Sequence, residues 1–256
     1  MIINYTRPKN LEQAYRLIQD QSSKVIPLAG GSSAVRARNS EEPISVVDLQ
    51  ALGMDNIIHE DDNVRVGAMV RLNDLFSSDW IDPSIKKAVF LEANNNLRNS
   101  ATLGGTLLSN NPACPIKTIL LAMDAKLDWY PDGQSVSMGE VILASDKIYR
   151  KILTDVHIPT RVKLGFEFIN RTPEDRVDLC VAVCVWSSGR TRIAVSGKSP
   201  QPLLAIDGSF ETGAEESVKN AYSLYIIYHK NQEYIQNMIP FLVKRAMNDA
   251  LEGASK

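Results

Sequence analysis

Two short glycine segments constrain this chain more than anything else in it. Ile26-Pro27-Leu28-Ala29-Gly30-Gly31-Ser32-Ser33 is an apolar run that ends in two glycines and two hydroxyl residues, and Thr102-Leu103-Gly104-Gly105-Thr106 repeats that chemistry about seventy residues later. Paired glycines allow positive φ and can turn consecutive N–H groups toward one point, with no Cβ to keep an anion away. A phosphate fits such a concavity, and two of them, each flanked by Ser or Thr donors, suit the two halves of a pyrophosphate. Taken singly, each Gly-Gly also reads as an ordinary turn after a strand. Their recurrence with the same flanks makes a dinucleotide the first ligand to test.

A chain of 256 residues can bury one large core or two modest ones. Its charge is nearly balanced, formally -2, so no net field draws nucleic acid or an anionic membrane. No apolar run reaches the roughly 18 residues of a membrane span, and the N-terminus passes at once into Asn4, Arg7, Lys9 and Glu12. A cytoplasmic protein without a signal peptide is expected. Cys114, Cys180 and Cys184 are too few and too scattered for a disulfide framework, a cluster or a four-thiolate zinc site. His59, His157 and His229 stand near no plausible second ligand, and no metal is expected.

In chain order, Tyr5 to Pro8 reads as a lead-in, and Asn10 as the cap of a helix carrying Leu11, Ala14, Tyr15, Leu17 and Ile18. Lys24 to Ala29 is a buried strand running into the first glycine turn, with Arg36 and Arg38 close behind as either phosphate contacts or solvated surface. Ile44 to Leu49 and Val64 to Ala68 are further strands. Helices follow over Leu72 to Phe76, capped by Asn73, and over Ser84 to Asn94, ended by Asn94-Asn95-Asn96. Ile116 to Ala125 has helical spacing, and Lys126 to Tyr130 is a strand entering the turn Pro131-Asp132-Gly133. Beyond that come extended segments at Ile152 to Pro159 and Phe166 to Asn170. Leu179 to Trp186 and Thr191 to Ser196 form a hairpin about Ser187-Ser188-Gly189. Helices near Glu215 to His229 and Gln232 to Leu251 complete an antiparallel sheet covered by helices on one face.

Several segments fall together in a known order: Ala29-Gly30-Gly31-Ser32-Ser33, Val46-Val47-Asp48-Leu49, Val64-Arg65-Val66-Gly67-Ala68, Leu97-Arg98-Asn99-Ser100-Ala101-Thr102-Leu103-Gly104-Gly105, and Asp155-Val156-His157-Ile158-Pro159. Over nearly the whole chain they resemble the FAD-binding subunit of the molybdenum hydroxylases, the group of xanthine dehydrogenase and carbon monoxide dehydrogenase. The resemblance implies an α+β protein. A PCMH-type FAD-binding domain of two α/β subdomains, about 1–56 and 57–161, would precede a C-terminal domain, 162–256, with an antiparallel sheet and helices. It implies that Ile26, Pro27, Leu28, Ala29, Gly30, Gly31, Ser32 and Ser33 wrap the pyrophosphate, that Thr102, Leu103, Gly104, Gly105 and Thr106 supply the second loop, and that Leu153 sits by the isoalloxazine ring. The flavin performs the chemistry, so no catalytic side chain is implied. Electrons would reach FAD from molybdopterin on a large partner subunit through 2Fe-2S clusters on a small one, and leave to NAD or another acceptor.

The chain departs from the family pattern in three places. Thr106 stands where many relatives carry Asn. Asn111-Pro112-Ala113-Cys114-Pro115 replaces Ser-Pro-Ala-Ala-Asp, removing an acid close to the flavin's polar edge. Glu167 stands where some relatives place Lys beside the flavin, which would disfavour an anionic reduced ring. Cys114 reads as a small buried space-filler or a reactive thiol, and Cys180 and Cys184 as core. The rival functions are a structural or assembly subunit with impaired flavin chemistry and a stand-alone flavoprotein oxidase. The substrate of the complex would be a purine or, next, a nicotinate-type heterocycle.

Overall fold

The computed structural model describes residues 2–21, 24–32, 43–109, 111, 113–144, 148, 150–172, 175–209, 212–225 and 232–252. Its strands form three sheets that follow one another along the chain. The first contains β1 (Ile2–Thr6), β2 (Lys24–Leu28) and β3 (Ile44–Asp48), with β3 central and parallel to both neighbours. Parallel pairing requires a crossover, and α1 (Leu11–Gln19) lies between β1 and β2. Asn10 caps it, its side chain accepting from Gln13 N–H at 2.8 Å, and Ala14 and Ile18 form its buried face. The lead-in at Tyr5 is part of strand β1. Its side chains are mostly exposed, so no apolar alternation betrays it; the ladder to β3 holds it.

The second sheet is antiparallel throughout. It runs in the order β4 (Ile57–His59), β5 (Asn63–Gly67), β8 (Ile152–Pro159), β6 (Lys126–Tyr130), β7 (Gln134–Ser137). Between β5 and β6 the chain forms α2 (Leu72–Ser77), α3 (Pro83–Glu92), α4 (Asn95–Arg98), α5 (Leu103–Leu107) and α6 (Pro115–Ala122), and α7 (Met138–Leu143) follows β7. Two expected caps are different. Arg71 occupies the N-cap of α2 without a side-chain bond, leaving Asn73 inside the helix. Asn94, expected to end a helix, opens α4 by accepting from Leu97 N–H at 2.9 Å.

The third sheet, also antiparallel, runs β12 (Leu203–Ser209), β11 (Arg190–Ser196), β10 (Leu179–Trp186), β9 (Val162–Ile169). The expected hairpin is β10–β11, turning at Gly189 with φ +85°. Alternation on β10 sends Leu179, Val181 and Val183 beneath α8 (Ala214–Ser223) and α9 (Gln232–Glu252). Cys180, Ala182 and Cys184 point the other way, into the core that contains α6. Helices therefore cover both faces of this sheet, correcting the expectation of one face. All eight residues of α6 are buried, and full burial of each large aliphatic side chain contributes about 1.5–3 kcal/mol.

Candidate functional site

The chain leaves β2 at Leu28 and passes through Ala29 to Ser32 with its outer carbonyls held. Leu28 O accepts from Leu49 N–H at 2.9 Å and Ala29 O from Gln50 Nε2 at 2.8 Å. Gly31 has φ +77°, the left-handed region that glycine enters without strain. Gly30 is pressed against residues 100–101: a Cβ on it would lie 1.8 Å from Ser100 O. Among the described residues, no protein group accepts from the N–H groups of Gly30, Gly31 or Ser32. Behind this segment lies Asp48, fully buried, bonded by Tyr5 Oη, by Arg7 Nε at 2.8 Å and by Gln50 N–H at 3.0 Å. Burial alone would raise the Asp48 carboxyl, but these hydrogen bonds and the Arg7 charge bring it below the ordinary value.

The second glycine segment does not form the open anion loop expected for it. Thr102 is the N-cap of α5, and Gly104 and Gly105 lie within that helix. Its donors are already used: Leu103 N–H by Val70 O at 2.9 Å, Gly104 N–H by Ala68 O at 2.8 Å, Gly105 N–H by Thr102 Oγ1 at 3.2 Å and Thr106 N–H by Thr102 O at 2.9 Å. Close packing explains the glycines instead. A Cβ on Gly104 would stand 2.9 Å from both the Cβ and the O of Ala68, and one on Gly105 would press on Thr102 Oγ1 at 3.0 Å and touch the Ala29 Cβ at 3.4 Å. The two segments thus meet, one offering free N–H groups and the other a surface without side chains.

Between them lies a cavity of about 350 Å³. Of the residues singled out from sequence, Ile26, Pro27, Leu28, Ala29, Gly30, Gly31, Ser32, Thr102, Gly104, Gly105 and Leu153 line it. Leu103 is fully buried beneath it, Thr106 faces a second cavity, and Ser33, like Arg36 and Arg38, lies outside the described residues. Sequence reasoning missed Ile18, Leu49, Ala68, Met69, Leu108, Ser109, Lys151 and Ile152 on the wall. Ile18 was visible only as a core position of α1, and nothing in the pattern marked Lys151. Lys151 is the one charged side chain among the described lining residues, and its ammonium pairs with Asp132.

The second cavity, about 500 Å³, shares Ser32, Gly105, Leu108 and Ser109 with the first and is more polar, with Glu92, Asn111 and Arg176 on its wall. Cys114 caps α6, its sulfur accepting from Lys117 N–H at 3.5 Å, and burial pushes its thiol well above the ordinary value. It is a buried space-filler and not a reactive thiolate. Pro115 begins α6, where its missing N–H costs nothing. Burial also raises Cys180 to about 11 and Cys184 to about 12, as befits core residues. Glu167 lines neither cavity. It pairs with Lys87 at 2.7 Å and Arg245 at 2.8 Å, so the local charge inversion expected beside the flavin is a neutralised clamp between α3, β9 and α9.

Unclaimed N–H groups at a glycine turn, a mostly apolar cavity on one side and a polar one on the other define a site for a dinucleotide. Its residues fit FAD: the cradle has no room for a Cβ at Gly30 and little at Gly105, and the free donors suit a pyrophosphate. Residues 1–161 match the family model of the FAD binding domain in molybdopterin dehydrogenase, and the chain belongs to that family. It is 29% identical to the nicotine 6-hydroxylase medium subunit of Paenarthrobacter nicotinovorans, over 97% of each chain. It is 25% identical to the caffeine dehydrogenase subunit beta of a Pseudomonas species, over 78% of this chain and 74% of that one. A chain of the Cu,Mo-CO dehydrogenase crystal structure shares its fold, with a TM-score of 0.80 and 22% identity over 98% of each.

Proposed function

We propose that this chain is the FAD-carrying electron-transfer subunit of a molybdenum hydroxylase complex. It would take electrons from 2Fe-2S clusters on a small partner subunit, supplied by a molybdopterin site on a large one, and pass them to NAD or another acceptor. The observation that carries this reading is the run of free N–H groups from Gly30 to Ser32 at the join of the two cavities, in a chain whose first 161 residues match the FAD family. When bound, FAD supplies the exchange between one-electron and two-electron carriers. The chain's own residues do the rest. Gly30, Gly31 and Ser32 hold the pyrophosphate, Thr102 fixes the first turn of α5, and Gly104 and Gly105 let the cofactor lie against backbone. Leu153 and Ile152 close the apolar wall against a ring and exclude water from it.

In this reading residues 1–161 are the FAD-binding domain, with subdomains at about 1–56 and 57–161, and 162–256 form the second domain. The protein works in the cytoplasm; among the described residues no helix is long and apolar enough to cross a membrane. The substrate of the complex is a nitrogen heterocycle, purines first and nicotinate-type rings next. Relatives named for caffeine and for nicotine favour that class.

The test is an absorbance spectrum of the purified chain with FAD, before and after anaerobic NADH. A flavin spectrum that bleaches is the expected result. Flavin that binds but stays oxidised moves the acceptor away from NAD, or makes this an assembly subunit if the whole complex cannot reduce it either. A chain that holds no FAD, alone or co-purified with its partners, overturns the reading.

A further inference from the structure

Glu92, the last residue of α3, stands on the wall of the second cavity. Its Oε1 accepts from Asn111 Nδ2 at 3.0 Å, while Oε2 is buried with no hydrogen bond of full geometry, the Cys114 thiol and the Ile116 N–H being its looser neighbours. Leaving a buried polar atom unpaired costs about 1–3 kcal/mol, and such a cost beside a cavity calls for a reason. The titratable and charged groups that face the carboxyl come from three directions: Cys114 and Lys117 on α6, Cys180 on β10, and Arg176 across the cavity. Burial is the largest influence on Glu92 and raises it; Cys114, Asn111, the Ile116 N–H and the Lys117 charge draw it back. Lys117 also donates to Ser109 O at 2.5 Å, and Ser109 lines both cavities. A carboxyl whose neutral form burial favours therefore stands on the wall of the cavity that meets the first at Ser32, Gly105, Leu108 and Ser109, within reach of a cofactor laid across both.

We propose that Glu92 is a positioning residue for the redox cofactor, one that takes up a proton when the cofactor becomes negatively charged and releases it when that charge is lost. The inference rests on the FAD reading above. Two electrons, delivered by the iron–sulfur partners or by a chemical reductant, come to the flavin with one proton, leaving it with one negative charge. That charge raises the proton affinity of a nearby carboxylate. Glu92 then draws a second proton from solvent and becomes the neutral acid. The balance is two electrons and two protons across the pH interval in which Glu92 changes state, one proton on the ring and one on the carboxyl. Reoxidation returns both protons to solvent. Ring and carboxyl titrate as a coupled pair, so the count belongs to the pair.

The experiment is a spectroelectrochemical titration of the full chain carrying FAD, repeated between about pH 5 and pH 9 to span the coupled interval. The slope of potential against pH gives protons per two electrons. Wild type is expected to take up one proton more than Glu92→Gln over part of that range, with the two agreeing at its ends. Glu92→Asp, which keeps a titrating group one carbon shorter, is expected to restore the extra proton in a displaced interval. A residue that merely packs would leave the proton count untouched. Equal counts for wild type and Glu92→Gln at every pH overturn the proposal. If Glu92→Gln does not fold, Glu92→Asp decides, and an interval that does not move overturns it. A wild-type chain that holds no FAD removes the functional reading and this inference together; one that holds FAD without coupling removes the inference alone.

Discussion

At Gly30 a single hydrogen atom decides whether two parts of the chain can meet. A methyl group there would be driven into Ser100 O, which is backbone and cannot rotate aside. Gly30→Ala is expected to cost about 2 kcal/mol or more and to abolish FAD retention, read as a lower denaturation midpoint and a colourless protein. Asp48 acts from behind the same segment. Its folded value lies below that of the unfolded chain, so the stability it contributes is complete above about pH 4 and is lost as pH falls through the folded value. Wild type and Asp48→Asn should therefore differ in urea midpoint at pH 7 and draw together as pH falls from about 4 through the folded value. A constant gap across that range would mean that the Asp48 charge contributes nothing.

Elements show why one glycine segment was legible and the other was not. The run from Ile26 to Ser32 is strand followed by turn, as its pattern reads, because β-branched and apolar residues end at a glycine with positive φ, although β2 is partly exposed and not buried as expected. In Thr102 to Thr106 the same letters begin a helix. Glycine disfavours a helix by about 1 kcal/mol, yet the bonds to Val70 O and Ala68 O and the contact with Ala68 hold it there. Those contacts come from residues more than thirty positions away, and no local pattern carries them. Glu167 teaches the same lesson. Its charge was visible in the sequence, but its partners on α3 and α9 were not. Glu167→Ala is expected to lower stability by about 1–2 kcal/mol, less than a fully buried pair because Lys87 is only half-buried and Arg245 is exposed. The flavin spectrum should stay unchanged, since Glu167 lines neither cavity.

In the whole molecule, the largest apolar cluster runs from Val64 to Ala194 and joins the second sheet, its helices and the inner face of the third. The alternation of β10 announced a strand, and the cysteines on it read correctly as core, but helices were expected on one face only. What covers each face depends on the order in which the layers stack, which a periodic pattern does not record. Helix α6 fills that gap, with its neighbours on α3, β10 and β11. Its burial has a consequence in time. Water can reach the α6 amides only when the layers on both sides part, so their exchange reports the rarest opening the protein undergoes. In deuterium, residues 116–122 should be the last to exchange, while the edge strand β1 exchanges early. If α6 exchanges as fast as β1, the two layers breathe apart freely, and the polar cavity beside Glu92 is open to solvent for much of that time.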